Sequence, residues 1–152
     1  MIDDSLGFLL AAASRLSKRE FEKKLLKKYQ ITVPQWAVLC LLCQEGSLPQ
    51  TQIADKLYGD KATIGDIVDK LLAKGLVERT VSTSDKRAYC VSATEKAKQR
   101  IGRMAEMTDQ VNEMTYGTMS PGERMMLQEL LKKVITNLSG VQSGDEKKGD
   151  QL

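Results

Sequence analysis

Apolar positions open the chain at helical spacing. Leu6, Leu9, Leu10, Ala13 and Leu16 recur at steps of three and four, and Phe21 and Leu25 resume the rhythm, which predicts a helix from Asp4 to about Tyr29. Thr32-Val33-Pro34-Gln35 has the form of a capping box with proline in the first turn, opening a helix from Val33 to about Gln44. That helix is apolar nearly all round, the pattern of a segment buried on all sides, and Gly46 is placed to stop it. Thr51 to Leu57 is a short helical pattern with Ile53, Ala54 and Leu57 inward. Tyr58-Gly59-Asp60 then reads as a turn in which Gly59 takes the positive φ and Asp60 the N-cap. A second helix runs from Lys61 to Lys74, with Ile64, Ile67, Val68, Leu71 and Leu72 on one face and Gly75 as its cap.

Two helices joined by a short glycine-containing turn, the second strongly amphipathic, have the signature of a helix-turn-helix. The next segment sharpens that signature. Leu76 to Val81 and Ala88 to Ser92, rich in valine, threonine and tyrosine, read as two short strands around a polar tip, Ser82 to Arg87, so a basic-tipped hairpin adjoins the helices directly and the unit reads as a winged helix. Thr94 starts a long helix to about Tyr116, and Ser120-Pro121-Gly122-Glu123 is another capping box, opening a helix from Pro121 to about Leu138. The fold class expected is mainly α with a small β-hairpin wing. Its organisation is a helix over residues 1–30, a winged helix-turn-helix over 31–93, further helices over 94–138, and a glycine-, serine- and charge-rich tail over 139–152 expected to be disordered.

Composition removes more functions than it suggests. The 152 residues carry a net charge of +3, compatible with a nucleic-acid partner without requiring one. Histidine is absent, which takes away the usual general base and the commonest metal ligand. No phosphate loop, nucleophile elbow or paired cysteine cluster appears, so the chain is not expected to be an enzyme or to hold a metal or cofactor. The odd set Cys40, Cys43 and Cys90 argues against a disulfide scaffold. Asp3 and Asp4 precede the apolar patch from Gly7 to Ala13, where a signal peptide would carry basic residues. Trp36 to Cys43 is too short to span a membrane. A reduced cytoplasm is the expected compartment.

Several single features have two readings. Arg15, Lys18, Arg19, Lys23, Lys24, Lys27 and Lys28 make the first helix basic, as a solvated face or as a stripe towards phosphates. Cys40 and Cys43 sit three apart on an apolar helix, as core residues or as a redox pair, and Cys90 could face either side of the wing sheet. Methionines 104, 107, 114, 119, 125 and 126 suit a dimer interface or an adaptable pocket for an apolar ligand, and Trp36 suits core more than a ligand platform.

The order of these motifs resembles the MarR family of bacterial regulators from Leu6 to Leu138. Ile53-Ala54 to Leu57, Lys61-Ala-Thr-Ile64, Val68-Asp-Lys-Leu71 and Lys74-Gly-Leu-Val-Glu-Arg79 are similar to its helix-turn-helix and first wing strand. Asp85-Lys86-Arg87 is similar to its Asp-x-Arg wing tip, Ala93-Thr94 stands where Leu-Thr is usual, and Ser120-Pro-Gly-Glu123 matches the start of its last helix. The resemblance implies a cytoplasmic homodimer whose first and last helices interleave, and a double-stranded, pseudo-palindromic operator read by recognition helices in successive major grooves. It also implies wing arginines in the flanking minor grooves, with Asp85 orienting Arg87, and often a small effector, here of apolar or aromatic class, that releases a repressor from DNA. One departure stands out: Gly65-Asp66 replaces the family's Thr-Arg. Across residues 47–93 seven Lys/Arg face six Asp/Glu, a net +1, so phosphate attraction is modest.

Residues in the N-terminal part of a recognition helix reach base edges. The DNA-contact candidates are Thr51, Gln52, Lys61, Thr63, Asp66, Lys70, Lys86 and Arg87. Asp66 either accepts from a cytosine amino group or pairs with Lys70 one turn on, and Gly65 would let the helix approach the groove. Two other functions share this scaffold. One is a winged-helix protein-interaction module with weakened DNA binding, the other a thiol-based redox sensor.

Overall fold

The structure, a computed structural model, describes residues 1–81 and 89–149, with side chains to residue 140. After a 3₁₀ turn at Ile2–Asp4, the chain runs through α1 (Leu6–Tyr29), α2 (Val33–Glu45), β1 (Leu48–Pro49), α3 (Gln50–Lys56) and α4 (Lys61–Ala73). It continues through β2 (Val77–Val81), β3 (Tyr89–Ala93), α5 (Glu95–Tyr116) and α6 (Pro121–Gly149). The fold is mainly helical with a small antiparallel sheet in the order β1-β3-β2, a winged helix-turn-helix. The chain forms two compact units, Met1–Val111 and Asn112–Leu152.

Local chemistry accounts for the element ends. Ser5 caps α1 by accepting the Phe8 N–H, and Thr32 and Gln35 close a reciprocal capping box on α2. Gly46 ends α2 at φ +81°. Gly75, at φ +67°, ends α4 in a Schellman motif: its N–H donates to the Leu72 carbonyl and that of Leu76 to Leu71. Ser120 and Glu123 form the reciprocal cap of α6.

The core lies in the first unit. Leu25 of α1, Val38, Leu39 and Leu42 of α2, Ile53 of α3, Val68 and Leu71 of α4, Leu76, and Val91 of β3 are all fully buried together. Burying such side chains stabilises by about 1.5–3 kcal/mol each against leaving them exposed. Trp36 packs edge-to-face on Phe21 at 4.9 Å between ring centroids, joining α2 to α1 as a core residue. Helix α2 is not buried on every side as its composition predicts: Gln35, Val38, Leu39 and Leu42 face the core, while Trp36, Cys40, Leu41 and Cys43 are half-covered.

Three expectations need correction. The turn after α3 places Tyr58, not Gly59, in the left-handed region, at φ +54°. Tyr58 occupies the position that a Schellman closure turns left-handed, its N–H donating to Asp55 while the Gly59 N–H donates to Ala54. Gly59 meets a different constraint, since a Cβ there would stand 3.2 Å from two atoms of the core residue Ile64 and press on it. Secondly, the sheet has a third strand, β1, beyond the expected hairpin. It comprises two residues, one a proline, and only pairing with β3 (Leu48 opposite Val91, Pro49 opposite Cys90) makes it a strand. Thirdly, α6 continues to Gly149, where the composition suggests a disordered tail over Ser139 to Leu152. A glycine such as Gly140 costs a helix about 1 kcal/mol but ends it only where the backbone turns away.

Candidate nucleic-acid interface

The helix-turn-helix is built from α3 and α4. Pairing of β1 with β3 fixes the entry to α3, whose first turn exposes Thr51 and Gln52. Ile53 and Ala54 bury the opposite side. On α4, Ile64, Val68 and Leu71 are buried, and Lys61, Thr63, Asp66 and Lys70 are exposed. The inward and outward faces of α4 are therefore those expected from its periodicity.

The N-terminus of α4 is held by Asp60, whose carboxylate accepts the Thr63 N–H at 2.8 Å and the Thr63 hydroxyl at 2.7 Å. The Thr63 backbone and hydroxyl bonds hold the Asp60 carboxyl below its ordinary range. Thr63 is thus oriented by the cap, with its hydroxyl proton committed to Asp60 and its oxygen lone pairs left to accept. Lys61 stands in the same turn and Asp66 one turn on. Lys70 lies roughly 13 Å from Lys61 along the axis at 1.5 Å per residue, so it does not share the N-terminal cluster. Lys70 sits instead near Lys74, whose ammonium it helps to push below its ordinary range after burial and Arg100.

Three residues that were not among the candidates brace this surface from its exposed side. Arg79 of β2 donates through Nη2 to Asp69 Oδ1 of α4 at 2.8 Å and to Gln50 Oε1 at the start of α3 at 3.3 Å. One guanidinium thereby joins wing strand, recognition helix and the first helix of the motif. Gly65 lies beside this brace: a Cβ there would stand 3.2 Å from Gln50 Nε2. The pairing of Asp66 with Lys70 does not form; among the described residues no ion pair involves Asp66. Lys86, Arg87 and Asp85 of the wing tip lie outside the described residues.

The α1 stripe is partly neutralised on its own helix, where Lys18 pairs with Glu22 and both Arg19 and Lys23 with Glu20. Cys40 and Cys43 sit in surroundings that disfavour the thiolate. Burial, with Cys43 beside it, pushes the Cys40 thiol up to about 11, and burial also raises Cys43 against the pull of Lys98. Both are protonated at neutral pH, whereas reactive cysteines are thiolates. Cys90 alternates with the buried Val91 and so lies on the outer face of the sheet. Among the described residues no helix is long and apolar enough to cross a membrane.

Known proteins share this arrangement. A model of the MarR family matches residues 31–89, from the residues before α2 to the start of β3. The chain is 31% identical over 116 residues to the HTH-type transcriptional repressor IacR of Pseudomonas putida, spanning 76% of this chain and 70% of that protein. It is 29% identical over 134 residues to the repressor NicR of Pseudomonas putida, spanning 88% and 84% respectively. The crystal structure of a mutant MarR from E. coli complexed with operator DNA superposes with a TM-score of 0.79 at 25% identity, over 85% of this chain and 92% of that one.

Proposed function

This chain belongs to the MarR family of winged helix-turn-helix, DNA-binding transcriptional regulators, and from that premise we propose that it is a homodimeric repressor, released from a pseudo-palindromic operator by a small ligand. It is a regulator and not an enzyme. Repression is supported by IacR and NicR, both named as transcriptional repressors. Double-stranded DNA as the partner is supported by the operator complex of the E. coli relative. The observation that carries the reading is the N-terminal half of α4, where Lys61, Thr63 and Asp66 are exposed on a helix fixed at its start by Asp60 and further along by the Arg79–Asp69 pair.

In this reading Lys61 and Thr63 reach base edges or phosphates, Thr51 and Gln52 approach the backbone beside them, and Lys70 adds a phosphate contact further along. The wing residues Lys86 and Arg87 reach the minor groove, where negative potential favours a guanidinium, with Asp85 orienting Arg87. Asp66 reads a base. Among the described residues no cation pairs with it, and a carboxylate accepts from cytosine N4. The test is selection of duplexes from a random pool, then affinity measurement for wild type and Asp66→Ala. Wild type is expected to enrich a two-fold related site, and the variant to lose discrimination at one base pair per half-site, about 1–3 kcal/mol. Equal strengthening on every duplex would show Asp66 to be only a repulsive charge. No enrichment at any salt concentration would overturn the DNA-binding role.

A further inference from the structure

The hydroxyl of Thr63 has a fixed hydrogen-bond polarity. Its oxygen lies 2.7 Å from Asp60 Oδ2, while the Thr63 N–H donates to Oδ1 of the same carboxylate at 2.8 Å. A threonine hydroxyl ordinarily offers one proton and two lone pairs, and rotates to donate or accept as its partner requires. An ionised carboxylate only accepts, so here the proton points at Asp60. Asp60 is ionised at neutral pH, because it caps the positive end of the α4 dipole and both Thr63 bonds favour the charged form. Hydrogen bonds to a charged acceptor are roughly twice as strong as neutral ones, which keeps the proton on Asp60 when a neutral base acceptor competes for it. Among the described residues no Lys or Arg pairs with Asp60 to draw its charge away.

Thr63 is thereby a pure acceptor on an exposed helical turn. The phosphate backbone of DNA offers its side chain only acceptor oxygens, so a phosphate contact through this hydroxyl has no proton to share. Base edges in the major groove divide into two classes: adenine N6 and cytosine N4 donate, whereas guanine O6 and N7, adenine N7 and thymine O4 accept. An unconstrained threonine serves either class. This one matches only the amino groups, and opposite a keto oxygen two acceptors would meet with no proton between them. Asp66, also an acceptor, is exposed three residues further on, and residues so spaced are neighbours on a helix surface.

We infer that Thr63 determines specificity by selecting an amino base, adenine or cytosine, at one step of each half-site, and that Asp60 is the positioning residue that sets this choice by holding the hydroxyl proton. The inference rests on the DNA-binding reading of α4. Its test is duplex selection from a random pool by wild type, Asp60→Asn, Thr63→Val and Thr63→Ser. Wild type is expected to enrich adenine or cytosine over guanine and thymine at a step other than the one Asp66 reads. Replacing that base by its analogue without the amino group, purine or 2-pyrimidinone, should weaken binding about tenfold, the loss of one paired acceptor. In Asp60→Asn the amide oxygen still accepts the Thr63 N–H, so the amide nitrogen donates to the Thr63 oxygen and frees the hydroxyl proton. That variant should shift its preference at the same step towards guanine or thymine. Thr63→Val should lose preference at that step alone, and Thr63→Ser should keep it. Circular dichroism checks that each variant is folded, and Thr63→Ala replaces Thr63→Val if that one is not.

A wild-type preference that persists in Thr63→Val, or an Asp60→Asn variant that selects the wild-type bases, would overturn the inference and leave DNA binding standing. So would a wild-type site with no amino-base step beyond the one lost in Asp66→Ala. Enrichment of no duplex by wild type removes the DNA-binding reading, and the inference with it. One further arm needs no DNA. Followed by carbon-13 NMR through acid pH, the Asp60 carboxyl should titrate higher in Thr63→Val than in wild type, because a bond that holds it down is gone. An unchanged titration would show that the hydroxyl does not donate to Asp60, which overturns the inference whatever the duplexes show.

Discussion

At the scale of single residues, the start of the recognition helix depends on one carboxylate. Asp60 accepts two bonds from Thr63, and both favour its ionised form. Its folded-state pKa therefore lies below the ordinary 3.8, so the stabilisation is complete above that value and is lost as pH falls through the folded one. Asn caps helices about as well as Asp but cannot ionise. Asp60→Asn is expected to lower Tm slightly at neutral pH, with the gap narrowing as pH falls below the ordinary 3.8 and closed only once pH is below the lowered folded value, where both side chains are neutral. Thermal unfolding across pH 2.5–7 reads this directly; a gap constant across the whole range would mean that ionisation of Asp60 contributes nothing to the cap. Thr63 has its orientation from this pair, so the same variant tests whether cap chemistry and DNA contact are separable.

Among the elements, α3, α4 and β2 are held in register by the Arg79 guanidinium. The Arg79–Asp69 pair is partly exposed, with side chains 36% and 64% accessible, so its direct worth is of the order of 0.2–1 kcal/mol. Its geometric role is larger, because it sets the angle at which α4 leaves the motif relative to the wing. Arg79→Ala should thus cost little stability but weaken binding to every duplex by a similar factor, with base preferences intact. Arg79→Lys keeps the charge but carries it on a flexible stem in place of the rigid planar guanidinium, and should recover only part of that affinity. Loss of preference at a single base pair would instead place Arg79 in the groove. Much of this motif is legible in the sequence: the inward face of α4 follows from Ile64, Val68 and Leu71, and the helix ends from Thr32, Asp60 and Gly75, because those signals are local. The brace is not, since Arg79 stands 10 residues from Asp69 and 29 from Gln50, and only the tertiary fold brings them together. Gly65 shows the same limit. Its missing side chain suggests a close approach to DNA, and only the fold reveals that the Gln50 amide also stands 3.2 Å from where a Cβ would be. The strand at Leu48–Pro49 is hidden because two residues carry no period.

For the whole molecule, the apolar surface is the central quantity. In the first unit, α1 leaves Leu6, Leu9, Leu10 and Leu16 exposed. In the second, Met126, Leu130, Val134 and Leu138 recur every four residues along α6, and each is 39% accessible or more. Contiguous apolar faces of this kind are rare on soluble monomers, and interfaces of obligate dimers are typically apolar and above about 2,000 Å². Under the proposed function a second copy covers them. Light scattering should give twice the 16.9 kDa chain mass, and Tm should rise with protein concentration, since association stabilises the folded state by mass action. Leu130→Lys/Leu138→Lys places two charges on the α6 face without touching the first unit's core. It should shift the protein towards monomer, lower Tm, and weaken operator binding, while the first unit's core keeps the winged fold. Operator affinity is sensitive because two half-sites are engaged together only by a dimer, whose second contact is intramolecular. A wild-type mass of one chain, with Tm independent of concentration, would refute the dimer and leave these faces to some other partner.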